Sequence, residues 1–141
     1  MGRQLKPMAW RAALCALLLC LGACGRELPA LAPDQVRAQQ TVDGLTVTLD
    51  TAREPRVNEA QRFSITLTDR AGRPVDGADI YLDLEMAMIC LGAKPVAEPQ
   101  GAGQYRALSV YPMAGDWEVT VVVEDQVGER RATFAIPVAE P

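Results

Sequence analysis

The chain has 141 residues, of which 49% are hydrophobic and 23% charged, with a formal net charge of −4 and no histidine. An acidic balance without a basic stripe excludes nucleic acid as a partner. The missing imidazole excludes histidine-assisted nucleophiles and a Cu(II)-type histidine site.

At the N-terminus, Arg3, Lys6 and Arg11 form a basic start, and Ala12–Leu21 forms an apolar run too short to span a bilayer comfortably. Leu21-Gly22-Ala23-Cys24 then gives a small-residue cleavage box that ends in cysteine. This arrangement resembles a bacterial lipoprotein signal. The resemblance implies that residues 1–23 are removed and that Cys24 becomes the acylated (palmitate-bearing) first residue, anchored durably in membrane lipid. An ordinary secretory leader with an incidental cysteine is the alternative. Arg26 rather than an aspartate follows Gly25, which by analogy with Gram-negative sorting points to the outer membrane, if the organism has one.

Eleven of the fourteen basic residues and all eighteen acidic ones follow the leader, a net −7 for the mature part. Cys15 and Cys20 leave with the leader and Cys24 is acylated, so Cys90 is the free thiol and no intramolecular disulfide forms. Residues 24–40, with Pro29, Pro33 and polar Gln35–Gln40, read as the lipidated N-terminus and a flexible tether. Such a chain would hold the domain on the order of 20–25 Å from the lipid. The folded domain is expected over residues 41–141.

From Thr41 the pattern has period two. Leu45, Val47 and Leu49 alternate with threonines and Asp50 in a first strand, and Phe63, Ile65 and Leu67 alternate with Ser64, Thr66 and Thr68 in a second. Gly72, Pro74 and Gly77 break the chain before a third strand, Ala78–Cys90. There Ile80, Leu82, Leu84, Met86, Met88 and Cys90 fall on one face, with Asp79, Tyr81, Asp83 and Glu85 on an outward, solvated face. Leu91–Pro99 is at most a short edge piece. Gln104–Tyr111 has an ambiguous facing that a bulge near Leu108 would reconcile. Trp117, Val119, Val121 and Val123 mark the next strand, and Ala132, Phe134, Ile136 and Val138 the last. Short strands at spacings of roughly 8–14 residues, with no helical period, point to an all-β, immunoglobulin-like β-sandwich of about seven antiparallel strands. Trp117 and Phe63 are its expected core anchors. Val122, apolar on a polar face, marks either a contact surface or β-propensity.

The segments Asp69-x-x-Gly72-x-Pro74-Val75-x-Gly77-Ala78, Leu84-Glu85-Met86-x-Met88, Gly103-x-Tyr105-x-Ala107 and Met113-Ala114-Gly115-x-Trp117-x-Val119-x-Val121 together resemble the YtkA-like domain, which is related to the FixH-like family. The match covers about residues 60–124. It implies an extracytoplasmic β-sandwich linked to copper handling and to assembly of respiratory haem–copper oxidases, with Met86, Met88 and Met113 in the family's methionine positions. Members of the family often add histidines or further methionines near that strand end; this chain has no histidine, so a metal role rests on sulfur.

Thioether and thiolate sulfurs are soft donors suited to Cu(I). Met86, Met88 and Cys90 at successive i, i+2 positions, with Met113 in the turn before Trp117, give a candidate Cu(I) site at one end of the sandwich. Packing is the competing account, because methionine fills core gaps and free cysteine is usually buried. Cys90 has a third reading as a reactive or intermolecular thiol. A calcium site on Asp76 and Asp79 lacks the dense acidic loop spacing such sites use. The carboxylates of the third strand do not form a catalytic pair, and an enzyme is not expected. Two functions stand at this point: a lipid-anchored domain that binds or delivers Cu(I) to a copper-accepting protein, and a metal-free interaction module of the cell envelope.

Overall fold

The computed structural model describes residues 27–86 and 90–140, with Cys90 and Leu91 described by backbone alone. Among the described residues there is no helix. The described residues form nine strands: β1 (Gln35–Val42), β2 (Leu45–Ala52), β3 (Ala60–Thr68), β4 (Asp79–Met86), β5 (Cys90–Leu91), β6 (Glu98–Gly101), β7 (Gln104–Val110), β8 (Gly115–Asp125) and β9 (Gly128–Val138). They make two antiparallel sheets, a five-stranded one in the order β1-β2-β3-β7-β6 and a four-stranded one in the order β5-β4-β8-β9. The inward rows of both sheets meet in one core, so the all-β sandwich expected from the alternation is the architecture found.

Phe63, Tyr111 and Trp117 form the aromatic centre of that core. Tyr111 meets Phe63 edge-on at 6.2 Å and lies 5.3 Å from Trp117, tilted by 54°. Each such pair adds about 0.5–1.5 kcal/mol beyond burial of the rings. The ambiguity in β7 resolves without a bulge. Its register with β3 runs unbroken from Ala60↔Val110 to Thr66↔Gln104, Tyr105 and Ala107 turn inward, and Leu108 is left 63% exposed. The register shift lies instead in β6, between Pro99 and Gly101.

The boundary expected between tether and domain at residue 40 falls inside a strand. β1 covers Gln35–Val42 and pairs along its whole length with β2. Its residues are polar because it is an edge strand with most positions exposed, so no apolar alternation marks it. The turn that makes it is Asp43-Gly44, where φ is 49° and 81°, the two positive values that a tight two-residue hairpin requires. On the open side of β1, the Gln40 amide N–H donates to the carbonyl of Thr133 in β9, and the Thr133 N–H donates back to Gln40 Oε1. One side chain thus ties the edges of the two sheets together.

The residues before β1 run as a strap across the outer face of the five-stranded sheet. Arg37 Nη2 donates to the Pro29 carbonyl at 2.8 Å while its guanidinium holds both oxygens of Asp50 at 2.6 Å. Farther along, Glu27, Leu28 and Pro29 reach Thr66, Thr68, Gly72 and Pro74.

The loop between β3 and β4 is locked by side chains. Asp69 Oδ1 accepts the N–H groups of Ala71 and Arg73, and Arg73 pairs with its other oxygen. Those hydrogen bonds, led by the Arg73 side chain, hold the Asp69 carboxyl below its usual range. Asp76 Oδ1 accepts the Gly103 N–H at 2.7 Å, and the Tyr105 hydroxyl donates to Val75 and accepts from Ala78.

Candidate functional site

β4 ends at Met86, and the chain has reversed by Cys90. The Cα partner of Met86 on one side is Cys90 of β5, and on the other it is Trp117 of β8. The expectation of one long strand carrying Met86, Met88 and Cys90 at successive inward positions is therefore corrected. β8 begins at Gly115, so beyond Met86 there is little partner strand left for β4 to extend along. After the reversal, residues 90–97 run back along the edge of β4. The amides of Gly92 and Ala97 donate to Leu84 and Ile80, and that of Leu82 donates to Pro95. This is the short edge piece read from the broken sequence after Cys90.

The reversal brings Cys90 closer to Met86 than a continuous strand would. Four residues along one strand span about 13 Å, whereas directly paired Cα atoms lie about 4.5–5.5 Å apart. Met113 approaches through Trp117, whose indole N–H donates to the Met113 carbonyl at 3.0 Å. The Met113 side chain is 42% exposed, and Met86 is half-buried against the core. Met86 Cε also lies against Gly115, two residues before Trp117. Residues 86, 90 and 113 thus gather at one end of the sandwich around the buried indole of Trp117. Met88 and the expected acylation position Cys24 lie outside the described residues.

Other candidates resolve as scaffold. Asp83, expected on a solvated face, is only 5% exposed; Lys94 Nζ lies 3.0 Å from its Oδ2 and Arg131 Nη2 3.5 Å. Its hydrogen bond and charge hold the Lys94 ammonium above the usual lysine range. Val122 is fully buried between its cross-strand partners Tyr81 and Arg131, so packing accounts for it. Asp76 is committed to Gly103, and among the described residues no group of three or more Cys, Asp or Glu side chains is placed to hold a metal ion.

The YtkA-like family model matches residues 39–122, more than half of the chain. The chain belongs to the YtkA-like family. No curated protein and no solved structure matches it. Within the YtkA-like region, the Asp69–Ala78 loop and Tyr105 serve to lock one end of the sandwich, as the hydrogen bonds above show. Met86, Met113 and Trp117 cluster at the other end. The sequence reading missed the aromatic partner Tyr111 and the burial of Asp83 beneath Lys94 and Arg131. Tyr111 follows the alternation Tyr105, Ala107, Ser109, Tyr111, which would have identified it once the bulge was dropped.

Proposed function

We propose that this YtkA-like protein is a lipid-anchored, extracytoplasmic copper-handling protein. It binds Cu(I) through sulfur of Met86, Met88, Cys90 and Met113 and passes it to a copper-accepting protein of the envelope. The observation that carries the reading is the double pairing of Met86 with Cys90 and Trp117, together with the tie from Trp117 to Met113. A packing role alone does not require a half-exposed methionine in the turn next to the strand end. Thioethers suit the site chemically, since they bind soft Cu(I) without releasing a proton and hold hard cations poorly. Cys90 as thiolate would add charge and affinity. Binding and transfer, rather than catalysis, is the role these residues can perform.

A competitive Cu(I) titration of residues 25–141 against a chelator tests the reading, with Met86, Met88 and Met113 replaced together by Leu or Ile. The native chain is expected to bind at least tenfold more tightly than the triple variant, about 1.4 kcal/mol. Equal affinities would discard the copper reading. The second reading, a metal-free interaction module, draws on one feature: Leu108 and Val110 stand 63% and 46% exposed side by side on the outer face of β7. It would stand alone if the two affinities were equal.

A further inference from the structure

We infer that the anchored domain stands with its sulfur end turned away from the bilayer and its opposite end against it; this rests on the lipid-anchor part of the proposed function. The two ends are defined by register. Met86, Trp117 and the turn at residues 53–54 lie at one end, and the turns at 43–44, 69–77, 101–103 and 126–127 lie at the other. β4 alone, from Asp79 to Met86, separates them by about 23 Å.

The strap decides which end the anchor reaches. From β1 it crosses the outer face of the five-stranded sheet, away from the sulfur end, and at Glu27 and Leu28 it lies beside Thr68, Gly72 and Pro74. Between Glu27 and Cys24 there are three residue steps, which reach about 11 Å at full extension. That is less than half the length of β4. A free tether of residues 24–40 would leave orientation open; a strap held by Arg37 and the sheet does not.

The near end offers an exposed apolar side chain to a headgroup layer. Val127, at the tip of the β8–β9 hairpin, is 81% exposed and points an apolar side chain outward at that end. Three of the carboxylates there are already engaged, Asp69 by Arg73, Asp76 by the Gly103 amide and Asp125 by Arg130 and the Val127 amide, while Asp43, Asp79 and Glu124 at the same end are exposed. The exposed carboxylates favour a zwitterionic headgroup layer over an anionic one. The sulfur end then faces the aqueous phase.

The test uses the processed lipoprotein in phosphatidylcholine vesicles, with and without nitroxide-headgroup lipid. A tryptophan is added at either end, Val127→Trp or Glu54→Trp, with Trp117 as a constant background. The nitroxide is expected to remove most of the emission added by V127W and little of that added by E54W. Equal quenching of both, quenching of neither, or the reverse pattern would overturn the orientation while leaving the copper titration untouched. Failure of the protein to float with the vesicles would overturn the anchor and the orientation together.

Discussion

The methyl group of Met86 occupies the space that a Cβ at position 115 would need, so Gly115 is what allows the thioether to lie across the start of β8. Its φ of 134° is also one that side-chain-bearing residues rarely adopt. Gly115→Ala is therefore expected to cost about 1–3 kcal/mol and to displace the Met86 side chain. The Met86 methyl resonance in a methyl-labelled sample should shift strongly, while methyl signals at the Ile80 end of β4 stay in place.

Single methionine replacements separate binding from packing. Met113 is partly exposed, so Met113→Ile should change stability by no more than about 0.5 kcal/mol. Met86→Leu is a volume-conserving change that should cost under about 1.5 kcal/mol. Each is expected to weaken Cu(I) binding about tenfold, measured by chelator competition beside urea unfolding of the same samples. Loss of stability without loss of affinity would assign both thioethers to packing.

Tyr111 is buried between Phe63 and Trp117, and its hydroxyl finds no hydrogen-bond partner among the described residues. Burial raises its pKa well above the ordinary value of 10.0. The folded chain therefore holds this proton more tightly than the unfolded chain does. Its contribution to stability is intact below pH 10 and declines as pH rises through the alkaline range. Tyr111→Phe should be neutral or stabilising by about 1 kcal/mol and should move alkaline unfolding to higher pH, followed by circular dichroism from pH 8 upward.

Arg37 serves two partners, Asp50 and the Pro29 carbonyl. Arg37→Ala leaves the buried Asp50 carboxylate without its guanidinium and frees the strap, at an expected cost on the order of 2 kcal/mol. Arg37→Lys keeps the charge but not the forked geometry and should fall between the two. Protease cleavage within residues 27–33 should accelerate in the order native, Lys, Ala.

The strands with one buried face were legible in the sequence because alternation and burial coincide. Leu45 to Leu49, Phe63 to Leu67, Ile80 to Leu84 and Trp117 to Val123 all turned inward as their spacing implied. β1 escaped notice because an exposed edge strand carries no apolar period; Asp43-Gly44 was its only local mark. The reversal after Met86 was hidden for the opposite reason, since the run from Met86 to Cys90 stays apolar after the strand has ended. The sulfur residues could be named from sequence. Their common end of the sandwich was expected too, but not the arrangement there, because it depends on the strand ending at Met86 and on its register with Trp117, a contact between residues about thirty positions apart.

The pairing of Gln40 with Thr133 has a consequence for how copies of the protein meet. By engaging both backbone groups of one β9 residue, the carboxamide takes up hydrogen bonds that a strand from a neighbouring molecule would otherwise seek. An open sheet edge makes such sheet-to-sheet coalescence a standing hazard. At Thr133, the glutamine closes that stretch of the β9 edge to a second copy of the chain.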